Sequence, residues 1–251
     1  MKPEFKDFFS KQSDFYAKFR PVYPNKVYEI LSSLCKKHEL AWDGGTGNGQ
    51  AALGLTPFFS KIIATDASSN QIEHAKTHAQ IKYIICKAEQ TPIENHSIDL
   101  ITIAQAFHWF HFDKFYNEVK RVLKPKGILA LWCYWHNRKI SPTIDPIIKK
   151  YSDSIVHSFW PKEVQYVWDH YQTIPFPFEE IEIEKIDMTC EWDLYELMGY
   201  IFSWSATQRF IEIEKTNPMK KIQMKLLNAW GDPKKKRRIS WPLYFRVGVH
   251  S

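Results

Sequence analysis

Long apolar runs are missing from this chain: Lys, Glu, Asp or Pro interrupts every hydrophobic stretch before it nears the roughly 20 residues needed to cross a bilayer. The first ten residues mix Lys2, Glu4, Lys6 and Asp7 with phenylalanines, which is not the pattern of a secretory signal, so a cytoplasmic location is expected. Cysteine is scarce. Its four copies, Cys35, Cys86, Cys133 and Cys190, form no C-x-x-C pair and read as buried thiols in a reducing compartment. No metal site is expected either, because the pairs His74/His78 and His108/His111 have no third ligand in register. Strong charge is also lacking. The net +6 on 251 residues owes much to one cluster, Lys234 to Arg238, which reads as a solvated loop before a strand; neither a nucleic-acid nor a membrane partner is expected. There is no internal repeat and no low-complexity linker, and one domain over residues 1–251 is expected.

What the chain does have is an alternation of short apolar strands with helical patterns. Asn25 to Lys37 carries Val27, Ile30, Leu31 and Leu34 at helical spacing. Leu40-Ala41-Trp42 then runs into Asp43-Gly44-Gly45-Thr46-Gly47-Asn48-Gly49 and a helix-prone stretch to Phe59. Further strands are expected over Lys61 to Thr65, Lys82 to Lys87, Ser97 to Ala104 and Gly127 to Trp135, with helices over Ser69 to His78 and Asp113 to Val122. Such alternation demands a doubly wound α/β sheet of the Rossmann-like kind, mostly parallel, with helices on both faces. After His136 prolines punctuate helical pieces rich in Trp, Tyr and Phe, which predicts helical cap insertions over 137–178 and 193–230. Glu180 to Cys190 is a candidate sixth strand, and Ile239 to Val249 suits an antiparallel final one.

In Asp43-x-Gly45-x-Gly47-x-Gly49 each glycine removes a side chain, so that backbone amides can come close to a ligand. The spacing alone also satisfies a dinucleotide fingerprint. Asp43 separates the two readings: a carboxylate before the glycines repels a pyrophosphate and suits a cation, such as the sulfonium and ammonium of S-adenosylmethionine. Asp66 closes the second strand, where a carboxylate can hold both ribose hydroxyls; it can also serve as a helix cap, a role open equally to Ser68 or Ser69.

Tyr16-x-x-Phe19-Arg20-Pro21-x-Tyr23-Pro24, the Asp43 glycine motif, Ala64-Thr65-Asp66-Ala67-Ser68, Ala88-Glu89, Gln105-Ala106-Phe107-His108-Trp109-Phe110 and Leu123-Lys124-Pro125-x-Gly127 together resemble a class I S-adenosylmethionine-dependent methyltransferase of the type 11 group, which includes trans-aconitate methyltransferase-like enzymes. The likeness runs from about Phe8 to Trp135, with echoes at Trp204 to Arg209 and Trp241 to Leu243. It implies S-adenosylmethionine as cofactor and S-adenosylhomocysteine as product. Asp43, Gly45, Thr46, Gly47 and Gly49 would lie beneath the methionine portion, Asp66 and Ala67 at the ribose, Ala88 and Glu89 at the adenine, and Gln105 at the closing edge. Residues 1–24 would form a lid. Gly44, where relatives more often carry a larger residue, leaves the spacing intact.

The resemblance does not identify the methyl acceptor. A small organic molecule with a carboxylate is expected first, since an ionised carboxylate needs no base, and a hydroxyl or carbon nucleophile second, with His108 or His136 as base. Arg20 and Arg209 are candidates to grip an acidic acceptor, with Tyr16 beside Arg20 and with Trp109, Trp135, Trp160 and Trp204 as pocket walls. A nicotinamide-dependent oxidoreductase and a non-catalytic cofactor-binding protein are the competing readings. No Asn/Asp-Pro-Pro-aromatic element follows the fourth strand, which speaks against exocyclic amines of nucleic acids.

Overall fold

The computed structural model describes residues 20–135 and 139–250. Eight strands form one sheet: β1 Leu40–Gly44, β2 Lys61–Asp66, β3 Ile81–Ile85, β4 Ile98–Ala104, β5 Leu123–Cys133, β6 Glu179–Glu180, β7 Ile186–Trp192 and β8 Arg237–Val249. Their order is β3-β2-β1-β4-β5-β8-β6, with β7 also on β8. The first five pair in parallel, and β8 runs antiparallel to β5, β6 and β7. This is the expected mostly parallel, Rossmann-like sheet with one antiparallel strand.

Strand β5 shows how sequence alternation makes the two layers. Ile128, Ala130 and Trp132 enter one core cluster while Leu129, Leu131 and Cys133 enter the other. Successive strand residues point to opposite faces, so a strand apolar at every position needs cover on both sides. Helices α1 Asn25–Ser33 and α2 Gln50–Leu55 cover the first face through Val27, Tyr28, Leu31, Ala52 and Leu55. Helix α4 Phe112–Val122 covers the second through Phe115, Val119 and Val122. Helix α3 Ser69–Glu73 stops well short of His78, because only Gln71 among its residues is buried and no apolar stripe holds a further turn.

Between β5 and β8 lie α5 Asp145–Lys150, α6 Val164–Trp168, α7 Leu194–Phe202, α8 Ser205–Glu214 and α9 Gln223–Trp230. Helix α7 opens on a reciprocal cap, in which the Asp193 carboxylate accepts from the Glu196 amide and Glu196 accepts from the Asp193 amide. The single sixth strand expected over Glu180 to Cys190 is two strands, β6 and β7, which meet opposite ends of the long β8. The fifth strand also starts earlier than Gly127. Leu123 already pairs with Ile98, and Lys124 to Gly127 bulge out before Ile128 rejoins opposite Leu100. All four cysteines are free thiols. Among the described residues no group of three potential ligands could hold a metal, and no helix is long and apolar enough to cross a membrane.

Candidate functional site

In a sheet of this topology the ligand crevice lies beyond the carboxyl ends of the central strands, where chain order reverses, here at β1 and β4. Each strand ends in a residue whose role is legible from its contacts. Asp43 is wholly buried beneath the turn that follows β1. Its carboxylate accepts from Thr46 Oγ1 at 2.5 Å and from Thr102 Oγ1 at 2.8 Å, and the Ala52 amide also points at it. One side chain thus ties together β1, β4 and α2. Burial pushes its carboxyl up to about 6, against the pull of those hydrogen bonds.

The turn above it is shaped by two close approaches. Gly45, at φ +64°, would place a Cβ 2.6 Å from Ala106 Cβ, and Gly49, at φ +83°, would place one 2.2 Å from Tyr83 Oη. Both positions therefore need glycine for conformation and for space. Gly44 lies within β1, and a Cβ there would meet Ile103 Cδ1 at 2.7 Å, so the doubled glycine makes room in the core rather than loosening the turn.

Asp66 closes β2 with its carboxylate accepting from the Gly47 amide at 2.8 Å and the Ser68 amide at 2.9 Å. A carboxylate offers about four acceptor sites, so these amides orient it without exhausting it. The cap of α3 is Ser68, whose hydroxyl accepts from the Gln71 amide. Ala67 is half-buried beside Asp66, and Ala88 is buried after β3. Glu89 accepts from the His111 amide at 2.8 Å, linking the segment after β3 to the start of α4.

Gln105, after β4, is a non-glycine residue at φ +56°. Its amide side chain donates to Tyr134 O at 3.1 Å and accepts from Tyr134 N at 2.8 Å, imitating a strand pair and clamping the end of β4 to that of β5. Gln105 also lines a cavity of about 70 Å³, large enough for a group of about five heavy atoms. The next residue, Ala106, packs on Gly45 of the turn, so adjacent residues meet the turn and the cavity.

Arg20, Gln105, His108, Trp109, Trp135, Trp160 and Trp204, seven residues singled out in the sequence, all line this cavity. Arg20 donates from Nη1 to Tyr134 Oη at 3.1 Å and lies 5.5 Å above the Tyr200 ring. The Trp135 and Trp160 rings meet edge-on at 4.8 Å, and Trp160 stands 5.8 Å from Trp204. His108 is buried, which drives its imidazole down to about 3 and keeps it neutral. No acidic residue is among the described residues that line this space. Arg209 is exposed on α8 and is not among the lining residues; Tyr16 and His136 fall outside the described residues.

Sequence reasoning missed Tyr134, Tyr200 and Tyr171. The Tyr200/Trp204 pair, four apart on the chain with rings 5.7 Å apart at 89°, was available as helical spacing. Tyr171 had no local signal. A larger cavity of about 380 Å³, bounded by Phe110, Asp113, Tyr116 and Pro175 at the start of α4, contains none of the residues expected at the cofactor.

Three comparisons bear on this geometry. The type 11 methyltransferase-domain family model matches residues 42–131, from within β1 into β5. A Dictyostelium discoideum protein carrying a methyltransferase name is 35% identical over 231 residues, covering 90% of this chain and 88% of that one. A Saccharomyces cerevisiae protein named as an S-adenosylmethionine-dependent methyltransferase is 28% identical over 132 residues, covering 49% of this chain and 45% of its own. Among solved structures, a type II methyltransferase, so described, from Anaeromyxobacter dehalogenans shares 33% identity with a TM-score of 0.86, over 92% of this chain and 98% of that one.

Proposed function

Since the chain belongs to the type 11 methyltransferase family, an S-adenosylmethionine-dependent group, we propose that it methylates a carboxylate oxygen of a small organic acid held in the cavity beside Gln105. The cofactor supplies a methyl group on a positively charged sulfur. The residues present fit it: Gly45 and Gly49 leave backbone exposed where a side chain would collide, the ionised Asp43 favours positive charge above it, and Asp66 presents an oriented carboxylate. In this reading Thr46, Gly47 and Ala67 bound the same groove, Ala88 and Glu89 border the adenine, and Gln105 fixes the wall common to cofactor and acceptor.

The observation that carries the acceptor class is the charge of the cavity. The Arg20 guanidinium lines it and presents a flat fork of N–H groups, one of which is donated to Tyr134 Oη, and a carboxylate is the acceptor group that such a fork matches best. The rings of Trp109, Trp135, Trp160 and Trp204 exclude water from the reacting oxygen. Transfer to a carboxylate forms one C–O bond as the C–S bond breaks, its electron pair passing to sulfur, and no proton moves. A base is therefore unnecessary, in keeping with an imidazole as weakly basic as His108. A hydroxyl or carbon acceptor would need that base.

The test is a screen of small carboxylic acids, alcohols and carbon acids with isotope-labelled methyl donor, read by mass. A labelled product that mild alkali converts back to the acid is the expected methyl ester. Alkali-stable products formed only from alcohols or carbon acids would defeat the carboxylate reading.

A further inference from the structure

Tyr171 is fully buried, and its hydroxyl stands 3.0 Å from His108 Nδ1. Its place is unusual. His170 and Tyr171 are consecutive non-glycine residues at φ +52° and +61°, a conformation that persists only where neighbours enforce it. The enforcement is visible: Arg246 on β8 donates to Tyr171 O at 3.0 Å and also to Ile174 O, and the His170 ring stacks flat on Tyr244 at 3.4 Å. The Tyr171 amide donates to Tyr166 O at 2.8 Å.

A hydrogen bond between a hydroxyl and an imidazole can run either way, and the surroundings decide the direction. Among the described residues the one hydrogen-bond partner of the Tyr171 hydroxyl is His108 Nδ1. Were Nδ1 the donor, the proton of this fully buried hydroxyl would be left without an acceptor. The hydroxyl therefore donates to Nδ1, and the single proton of the neutral ring sits on Nε2, the nitrogen that His108 can present to the cavity it lines.

We infer that Tyr171 fixes His108 in the Nε2–H tautomer, so that His108 donates a hydrogen bond to an oxygen of the methyl acceptor instead of acting as a base. This rests on the reading of the cavity as the acceptor site. With Arg20 it would give the acceptor carboxylate one charged and one neutral donor, leaving an oxygen lone pair for the methyl carbon. Tyr171 is then a positioning residue that acts through His108.

The tautomer is read directly by long-range proton–nitrogen NMR on the full chain with nitrogen-15-labelled histidine, the His108 signals being those lost in His108→Gln. Expected are a protonated Nε2, a bare Nδ1, and a slowly exchanging Tyr171 hydroxyl proton coupled to Nδ1. A proton on Nδ1, or no such hydroxyl coupling, overturns the inference even if Tyr171→Phe fails to fold. Where Tyr171→Phe does fold, the two tautomers should mix; an unchanged spectrum also overturns it. For the acceptor found in the screen, His108→Leu should raise KM about tenfold with a smaller change in kcat, and His108→Gln, which can donate but cannot act as a base, should recover most of that loss. A Gln variant as poor as Leu overturns the donor role. Propionate, whose size of about five heavy atoms matches the cavity, then separates the two readings. If it binds beside Trp109 without shifting Nε2–H, the donor role falls; if it does not bind at all, the carboxylate reading of the cavity loses support while the tautomer stands on its own spectrum.

Discussion

A buried carboxylate such as Asp43 opposes the apo fold and favours a cationic ligand for the same reason: it has lost water and gained only partial compensation. Its carboxyl is raised to about 6 from 3.8, so the sign of the linkage is fixed. Stability carried by this group is greatest when it is neutral and falls as pH rises through that window. A cation bound above the turn favours the ionised form, so affinity for S-adenosylmethionine should be full near pH 7.5 and should fall as pH drops through about 6. Calorimetry near pH 6 in buffers of different ionisation heat should show a proton released on binding, and Asp43→Asn should abolish that release. An affinity flat from pH 7.5 to pH 5 would remove the charge argument. Arg20 makes the complementary case on the acceptor side. Arg20→Ala should raise the KM of the acceptor about tenfold to a hundredfold while S-adenosylhomocysteine affinity stays within about twofold. Equal loss of both affinities would mean that Arg20 shapes the whole crevice rather than gripping the acceptor. Lysine should restore little, because a point charge cannot reproduce the flat guanidinium that bonds Tyr134 while lying over Tyr200.

At the scale of elements, the glycine turn is set by its neighbour β3 as much as by itself. In Gly49→Ala the new methyl would sit on Tyr83 Oη, and φ +83° would remain unfavourable for alanine. A loss of about 1–3 kcal/mol is expected from chemical denaturation. Adding Tyr83→Ala should return the part due to collision and leave the part due to backbone conformation; no recovery would show that the close approach is not the cost. That turn was legible in the sequence because glycine marks it. The break after α8 was less so, since Lys215 takes the left-handed position at φ +55° without a glycine to signal it, and only Asn217-Pro218 marks the interruption. Likewise β3, β4 and β5 were legible from their apolar runs. The division of the sixth strand was not, because it depends on which end of β8 each piece pairs with, a property of the partner strand.

Across the whole molecule, the parts of the candidate site at the ends of the parallel strands were legible in the sequence, as were Arg20 and the cap residues Trp160 and Trp204, whereas Tyr171 was not. Asp43, Asp66 and Gln105 follow strands β1, β2 and β4, whose ends the fold gathers by rule. Tyr171 and Tyr200 reach the site only through tertiary packing. Arg246 is the residue that makes this long-range arrangement specific. From β8 it reaches Tyr171 O, Ile174 O and the Glu180 carboxylate, so one buried guanidinium joins the segment after α6, the edge strand β6 and the sheet. Removing it strands two backbone carbonyls, while the Glu180 carboxylate is half exposed and regains water, so a loss of about 1–3 kcal/mol is expected from the unpaired carbonyls. Arg246→Ala should therefore lower Tm markedly. Its functional effect should be unequal: the β1 turn and Asp66 lie across the sheet and should keep S-adenosylhomocysteine affinity within about threefold. The Tyr171 to His108 contact loses its anchor, so the acceptor KM should rise at least about tenfold. Arg246→Met, which fills the space without a charge, should recover stability in part but not the acceptor KM, since a thioether cannot hold the Tyr171 carbonyl. Parallel loss of both affinities would show that β8 and the cofactor turn are coupled directly, and that the cap is not an independent layer laid over a preformed cofactor crevice.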